Sequence, residues 1–230
     1  MDSARVEVHP QREVPKIAKD IKRKERKVHS CRPLHHFYYN QQRKEIITLG
    51  RLASHITIFN LALHRRREIH PACFKLYDKS MAIMSMAYSE RQQRIGCIIS
   101  SLGMAFWDYS DQFQTEKLIK KVIGDRIYYL PLLDEWITTD ANTLHFWDLK
   151  EEKVKAQCGE PTAVAVNDVK EIIHLRCLAV SYTFADKFKW LYIYKNDGLK
   201  LASRLKLAHV GAQKIHYNRS TQTLLLLGMN

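Results

Sequence analysis

Histidine and cysteine side chains, which often hold metal ions in proteins, form two short groups in this chain. The groups are His29-x-Cys31 with His35 and His36, and His70-x-x-Cys73. A structural zinc site needs four ligands at short paired spacings, and neither group has a second C-x-x-C or H-x-x-x-H half. We therefore expect ordinary turn and surface histidines here and no metal site.

Paired carboxylates, which can perform general acid and base catalysis, occur at Asp134-Glu135 and at Glu151-Glu152. Both pairs lie in predicted turns, and nothing beside them indicates a buried pair with shifted pKa values. The sequence also lacks the glycine-rich loops that hold phosphates and the G-x-S-x-G motif of serine hydrolases. We therefore expect no catalytic residue and no cofactor, and a chain that is not an enzyme.

Basic residues exceed acidic ones, 37 to 24, and give a net charge of +13. Such a charge attracts nucleic acid, a membrane surface or an acidic protein, and it does not choose among them. A dense basic run is typical of a nuclear address, a nucleic-acid contact or a solubilising tail. The candidate contacts for an acidic partner are Lys22, Arg23, Lys24, Arg26, Lys27, Arg65, Arg66 and Arg67.

The composition favours a soluble globular protein, because 46% of the residues are hydrophobic and a core of ordinary size is possible. No apolar run reaches the roughly 18 residues that a membrane helix requires. Residues 1–7 lack the apolar stretch of a secretory signal, so we expect a cytosolic protein. The five cysteines form no C-x-x-C pair and are expected to be reduced thiols.

A repeated pattern, apolar-x-apolar-aromatic, closes four segments at 56–60, 104–108, 144–148 and 191–195. The aromatic positions lie 48, 40 and 47 residues apart. This period is typical of four-stranded units that stack into a β-propeller. Because alternate residues of a strand point to opposite faces, the two apolar residues share one face and the aromatic ring lies on the other. Neighbouring sheets of a propeller would cover both faces.

Two of the four segments end in Phe-Trp-Asp, and on these residues the chain from about 33 onward resembles the WD-repeat β-propeller family. The structural signature that this resemblance implies comprises Phe59, Phe106, Trp107, Asp108, Phe146, Trp147, Asp148 and Tyr194. The family's full repeat buries a hydrogen-bonded set of polar residues. In the third unit, Thr139 would supply its hydroxyl and Trp147 its aromatic ring, while Ala141 replaces the usual turn aspartate.

The predicted fold is all-β, with a flexible basic arm at 1–32 and about four and a half propeller blades at 33–230. The blades are predicted at 33–80, 81–124, 125–168, 169–207 and, in part, 208–230. The fourth is predicted to begin with a strand at 172–175. A ring of about seven blades needs roughly 300 residues. Three explanations remain: the chain is a piece of a longer protein, a partner completes the ring, or the ring is smaller. The stop after 224–228 favours the first.

The resemblance implies a non-enzymatic scaffold that presents loops to protein partners in a larger complex. Divergent repeats of this kind are similar to those of axonemal proteins, so the cilium is a candidate location within the cytoplasm. The alternative is a nucleic-acid-associated factor that uses the basic arm, and the nucleus is then the expected location. No membrane partner is expected.

Overall fold

The computed structural model describes residues 34–50, 53–70, 81–109, 115–207 and 214–228. They belong to one compact unit, Leu34–Asn230. The predicted basic arm, with the candidate contacts between Lys22 and Lys27, lies outside the described residues. Over the described ranges the structure consists of antiparallel strands and a short 3-10 helix at Ile173–Leu175. No helix in this part of the chain is long and apolar enough to cross a membrane.

Four sheets have four strands each, and a fifth sheet has two among the described residues. Sheet 1 contains β1 (Leu34–Asn40), β2 (Glu45–Gly50), β3 (Ile56–Asn60) and β4 (Arg65–Ile69). Sheet 2 contains β5 (Ile83–Ser89), β6 (Arg94–Ile99), β7 (Gly103–Asp108) and β8 (Thr115–Ile119). Sheet 3 contains β9 (Arg126–Leu130), β10 (Glu135–Asp140), β11 (Thr143–Asp148) and β12 (Lys153–Gly159). Sheet 4 contains β13 (Ala163–Ile172), β14 (Cys177–Phe184), β15 (Lys189–Lys195) and β16 (Lys200–Leu207), and sheet 5 contains β17 (Lys214–Asn218) and β18 (Thr223–Leu227).

The hydrophobic core lies between the sheets, and each of its four clusters joins two consecutive sheets. Between sheets 1 and 2, Ile56 and Ile58 belong to the same cluster as Trp107. Between sheets 2 and 3, the ring of Phe106 meets that of Trp136 edge to face, with centroids 5.0 Å apart. The third strand therefore buries apolar residues on one face and its signature aromatic on the other, as the sequence pattern predicts.

The first strands of all five sheets line a common cavity of about 310 Å³. Each of the first four is joined to the first strand of the next sheet by a hydrogen bond between a side chain and the backbone. These bonds run from Tyr38 Oη to the Met86 carbonyl (3.0 Å), from Ile127 N to Ser85 Oγ (3.2 Å), from Arg126 Nη1 to the Val166 carbonyl (3.4 Å) and from Ile215 N to Asp168 Oδ2 (2.8 Å). Neighbouring sheets are thus joined at the cavity by polar contacts and further out by apolar packing.

The connection between the first and second strands has the same form in every sheet. It ends in a residue with positive φ immediately before the second strand: Lys44, Gln93, Asp134, Arg176 or Gln222. In sheets 1 and 2 the side chain that closes the first strand caps the turn, since Asn40 Oδ1 accepts from Arg43 N (3.1 Å) and Ser89 Oγ from Gln92 N (2.9 Å). The repeat therefore extends to the loops.

A β-bulge recurs between the third and fourth strands of all four complete sheets, at the signature aromatic residue. The pairing register shifts at Phe59, Trp107, Trp147 and Tyr194. Four positions that were aligned by sequence period alone are therefore structurally equivalent, including the two that carry no tryptophan.

The first strand of sheet 4 differs from the prediction. It is β13, Ala163–Ile172, whereas 173–175 forms the short helix. The boundary predicted at 168/169 thus falls inside a strand. Asp168 interrupts the apolar alternation, and it is nevertheless buried because it accepts the Ile215 amide hydrogen from β17. The sequence pattern around Asp168 gives no indication of this hydrogen bond, because Ile215 lies 47 positions away in the chain.

Candidate acidic-partner interface

The arginine triplet lies on β4, the outermost strand of sheet 1, and its members have different partners. Arg65 Nη1 lies 2.6 Å from Glu68 Oε1. Arg66 Nη1 and Arg67 Nη2 each lie 3.2 Å from the carboxylate of Glu45, on β2. The sequence predicted that the three arginines act together as one basic contact. In the structure Arg65 pairs with Glu68, whereas Arg66 and Arg67 pair with Glu45.

The β-bulge of sheet 1 explains why Arg66 and Arg67 reach the same carboxylate. Ile58 pairs with Arg67 and Phe59 pairs with Arg65, so Arg66 is the extra residue of the bulge. In a regular strand, adjacent side chains point to opposite faces. A bulge re-aims a side chain, and here two consecutive guanidinium groups converge.

Glu45 is the buried anion at the centre of this site, with an exposure of 1%. A buried carboxylate requires opposite charges and hydrogen bonds. Besides the two arginines, Tyr109 Oη donates to Glu45 Oε2 at 2.6 Å, and Tyr109 directly follows the third strand of sheet 2. Burial, together with the Glu45 carboxylate, raises the pKa of the Tyr109 hydroxyl, which keeps it a donor. The site therefore links two sheets.

An open cavity of about 460 Å³ is lined by Arg43, Glu45, Arg66 and Arg67, which we name the arginine pocket. The guanidinium carbons of Arg43 and Arg67 lie 5.4 and 5.7 Å from the centre of the Tyr109 ring, within the range of cation–π attraction. Among the described residues, three guanidinium groups and one carboxylate line the pocket, so this part of the lining is basic.

Sheet 3 provides an internal comparison for the arginine pocket. Glu135, like Glu45, is the first residue of a second strand, and Lys155, like Arg66, is the extra residue of the bulge. Lys155 Nζ lies 2.8 Å from Glu135 Oε1. In sheet 3 one ammonium group meets one carboxylate, so the contact of two guanidinium groups with one carboxylate in sheet 1 is not a general property of the repeat.

Of the residues at this cluster, the sequence indicated Arg66 and Arg67 as candidates but not Arg43, Glu45 and Tyr109. Glu45 follows a polar hairpin and looks like a solvated turn residue in the sequence. Its burial depends on the bulge in β4 and on Tyr109, which is 64 positions away. No local signal identifies either contact.

The aromatic signature residues are buried: Phe59, Phe106, Trp107, Phe146, Trp147 and Tyr194. Five of them, Phe106, Trp107, Phe146, Trp147 and Tyr194, belong to the cores between neighbouring sheets. Asp108 and Asp148 are half-buried and close their strands. Backbone N–H groups of Glu151 and Lys150 donate to Asp148 and lower the pKa of its carboxyl. The buried aromatic rings therefore contribute to the packing between sheets.

The hydroxyl partner of Trp147 is Thr138, not Thr139 as expected from the resemblance. Trp147 Nε1 donates to Thr138 Oγ1 (2.9 Å), and Thr138 Oγ1 donates to the Ile123 carbonyl (2.6 Å). Thr138 pairs with His145, which lies two residues before Trp147 and therefore on the same face. In this hydrogen-bonded set the acceptor for the Thr138 hydroxyl is thus a backbone carbonyl, that of Ile123.

Two of the candidate acid–base residues, Asp134 and Glu151, contact neighbouring side chains. In the described part of the chain, no group of three or more His, Cys, Asp and Glu side chains is placed to hold a metal ion. His29, Cys31 and Cys73 lie outside it. Asp134 accepts hydrogen bonds from Tyr129 and Gln92, which lower the pKa of its carboxyl, and Glu151 pairs with Lys153 at 3.5 Å.

The sheets and their packing define a β-propeller, the fold class predicted from the sequence. No protein-family model matches the chain, and no curated protein matches its sequence. Among solved structures, it is similar to the β-propeller domain of Cps50 (Swd1) from Myceliophteria thermophila, with a TM-score of 0.64 and 13% identity. The match covers 87% of this chain and 64% of that one. At this identity, the similarity establishes the fold alone.

Proposed function

We propose that this chain is a non-enzymatic protein-interaction scaffold of the WD-repeat type that docks acidic segments of protein partners in a larger assembly. The arginine pocket carries the proposal. The buried carboxylate of Glu45 holds Arg66 and Arg67 in place before any partner arrives, and the Arg66 side chain is 53% exposed on the outermost strand. Such preorganisation lowers the entropic cost of binding.

The WD-repeat assignment is supported by the two Phe-Trp-Asp steps and by the bond between Trp147 and Thr138. The cytoplasm, with the ciliary axoneme as one site within it, is the proposed location, on the sequence resemblance alone. The arginine pocket does not depend on that location.

A second candidate, a nucleic-acid-associated factor, is favoured by the basic run between Lys22 and Lys27 and by the net charge of +13. Salt distinguishes the two functions. Binding to a nucleic-acid backbone weakens steeply and log-linearly with salt, because counterions are released. One arginine pocket meets few charges and should show a much shallower salt dependence.

The test is cross-linking of the full chain in nuclease-treated extract of its source cells, followed by identification of the cross-linked peptides. We expect a protein partner whose cross-links fall in an acidic segment and near β4. The double variant Arg66→Ala, Arg67→Ala should lose these cross-links. The control variant Arg65→Ala, which removes the arginine paired with Glu68, should keep them.

Two results would contradict the scaffold function. One is recovery of nucleic acid alone, with a steep salt dependence. The other is a set of protein cross-links that the double variant leaves unchanged.

A further inference from the structure

We propose that β16, the outermost strand of sheet 4, accepts an extended acidic segment of a partner protein as an additional strand. This inference rests on the proposed scaffold function and adds a second surface for an acidic segment. It depends on the exposure of β16, on the charges of β15 and β16, and on the backbone groups that an edge strand presents.

Exposure is the first observation. Sheet 4 has the strand order β13-β14-β15-β16, so β16 (Lys200–Leu207) lies at its edge. Residues 200–206 are all exposed, and Leu207 is half-buried. Because consecutive side chains of a strand point to opposite faces, solvent reaches both faces of β16. An edge strand presents a row of backbone N–H and C=O groups, and an extended peptide can pair with them.

The charge of this edge is the second observation. Strands β15 and β16 contain no acidic residue and five basic ones: Lys189, Lys195, Lys200, Arg204 and Lys206. In the other three complete sheets, the third and fourth strands together include at least one acidic residue: Glu68, Asp108, Glu116 or Asp148. The basic character of this strand pair is therefore specific to sheet 4, and it favours an acidic partner.

Two of these lysines face each other across the sheet. Lys195 and Lys200 are directly paired between β15 and β16, and both are exposed. Like charges at directly opposite positions are unfavourable. A strand added to β16 lies about 4.8 Å from it, so a glutamate opposite Lys200 offsets this repulsion.

The faces of β16 define the sequence of a matching segment. Arg204 and Lys206 lie on one face of the strand, and Leu205, which is 58% exposed, lies on the other. An added strand therefore meets basic, apolar and basic positions in succession, and the matching segment alternates acidic and apolar residues. Arg204 also hydrogen-bonds with Tyr192 and is in electrostatic contact with Glu160, so the lysines are the better positions for variants.

The edge suits a peptide better than a single-stranded nucleic acid. Lys206 Nζ lies 3.5 Å from the centre of the Phe188 ring, and Arg204 Cζ lies 5.7 Å from that of Trp190. Both rings therefore already have a cation over them, which opposes the stacking of a nucleotide base. Phosphate groups also lack the N–H donors that the backbone carbonyls of an edge strand accept, whereas a peptide supplies both donors and acceptors.

The lysines of β16 also act against pairing with a second copy of the chain. Charged edge strands, especially those with lysine, repel one another and resist association. The same charges that exclude a second β16 strand attract a segment of opposite charge, so repulsion and attraction together give specificity.

The experiment measures the binding of short fluorescein-labelled probes to the full chain by fluorescence anisotropy at low salt. The acidic probe is the peptide Thr-Glu-Val-Glu-Val-Glu-Thr amide. Its controls are a scrambled peptide, Glu-Glu-Glu-Val-Val-Thr-Thr amide, a peptide with lysine in place of glutamate, and tetrathymidylate, which has three phosphodiester charges. We expect the acidic probe to bind at least about tenfold more tightly than each control. No binding of the acidic probe, or equal affinity for any control, would overturn the proposal.

Backbone methylation separates strand addition from attraction between side chains. An added strand uses only one of its two edges, and the groups on that edge belong to alternate residues. Two further forms of the acidic probe carry N-methyl groups, one on the glutamates and the other on the valines and the second threonine. One form should lose about tenfold in affinity, and the other should bind like the parent. Equal affinities of the two methylated forms would contradict the proposal.

Hydrogen exchange locates the contact on the chain. The backbone amides of β16 should exchange more slowly when the acidic probe is bound, and those of β12 should not change. Unchanged exchange in β16 would place the probe elsewhere and refute the proposal. Protection of β16 that rises with chain concentration without any probe would identify a second copy as the occupant, and it would refute the proposal as well.

A matched pair of variants tests the charge. Lys200→Glu, at the first position of β16, should weaken binding of the acidic probe by about tenfold. It also removes the like-charge pair with Lys195 and should not lower the melting temperature, so misfolding would not explain the loss. Lys153→Glu makes the same charge change at the first position of β12 and should keep the affinity. An equal loss in the two variants would indicate attraction to net charge alone and would rule out the edge of β16.

Failure of this inference can be distinguished from failure of the scaffold function. If the acidic and scrambled probes bind alike while Arg66-dependent cross-links to an acidic protein persist, strand addition is wrong and the scaffold remains. If the acidic probe protects β16 as expected and no protein partner cross-links, the edge binds acidic strands and the scaffold function is wrong.

Discussion

The hydroxyl of Thr138 is the central polar contact of the third sheet. It accepts a hydrogen bond from Trp147 Nε1 and donates one to the Ile123 carbonyl, and Thr138 and Trp147 are buried. The indole is thereby fixed at the packing surface between sheets 2 and 3. Removing the hydroxyl would leave a buried donor without its partner.

Thr138→Val should lower the free energy of unfolding by about 1–3 kcal/mol, the cost of leaving a buried polar group unsatisfied. Chemical denaturation monitored by tryptophan fluorescence measures the change. Thr138→Ser retains the hydroxyl and should cost less. If valine is tolerated as well as serine, the hydrogen bonds contribute little to stability.

His145 is a buried titratable residue of the same sheet, with an exposure of 6%, and neither of its ring nitrogens has a hydrogen-bond partner among the described residues. Thr138 and Gln157 pair with it across the sheet. Burial lowers the pKa of His145, although the charge of Asp140 acts in the opposite direction. The folded chain therefore holds this imidazole neutral at a pH where the unfolded chain would protonate it.

Stability should consequently fall as the pH drops below about 6.5, the ordinary pKa of histidine, because the unfolded chain then binds the additional proton. His145→Leu should lose less stability than the natural chain between about pH 7.5 and about pH 5.5. Urea unfolding at the two pH values measures this difference. An identical loss in both proteins would show that other groups cause the pH dependence.

The close approach of sheets 2 and 3 depends on Gly96 in β6. A Cβ atom at this position would lie 2.7 Å from Trp136 Cζ3 and 2.8 Å from Phe106 Cε1. Both rings are buried in the packing between the two sheets. A side chain at position 96 would force the sheets apart.

Gly96→Ala should therefore destabilise the chain by about 1–3 kcal/mol, the usual cost of overpacking. The matched control is Gly50→Ala at the end of β2, where the nearest atom to a new Cβ is the Ala53 methyl at 3.7 Å. Thermal melts of the two variants make the comparison. Equal melting temperatures would mean that the sheets adjust to the added methyl group.

The strands that could be predicted from the sequence are those whose hydrophobic pattern is complete within the strand itself. The strands that carry the signature aromatics have apolar alternation within a few residues, and their period identified the repeat. Strand β13 was misplaced because Asp168 is stabilised by a residue 47 positions away. The same limit applies to the arginine pocket, where the triplet is visible in the sequence but the bulge that aligns Arg66 with Arg67 is not.

At the scale of the whole molecule, sheet 5 differs from the others because only two of its strands lie among the described residues. Leu224 and Leu226 of β18 pack toward sheet 4, whereas Leu225 and Leu227 are 46% and 61% exposed. Exposed apolar residues on a sheet edge favour association with other chains.

We expect the isolated chain to self-associate as its concentration rises. The double variant Leu225→Lys, Leu227→Lys should shift the association to higher concentration, because charged edge strands resist pairing. Sedimentation velocity measures the effect. Leu201→Lys on β16, at an equally exposed position (49%), is the control and should behave like the natural chain. Self-association that is the same in all three proteins would place the contact elsewhere.

The extra residue in each outermost strand has an evolutionary consequence. Arg66, Lys155 and Ala202 occupy this place in three different sheets, and all three are exposed. A guanidinium, an ammonium and a methyl group therefore occur at equivalent places of the repeat, so the β-bulge itself does not dictate the chemistry of this residue. The rim can acquire or lose a recognition function one codon at a time, while the architecture beneath it stays constant.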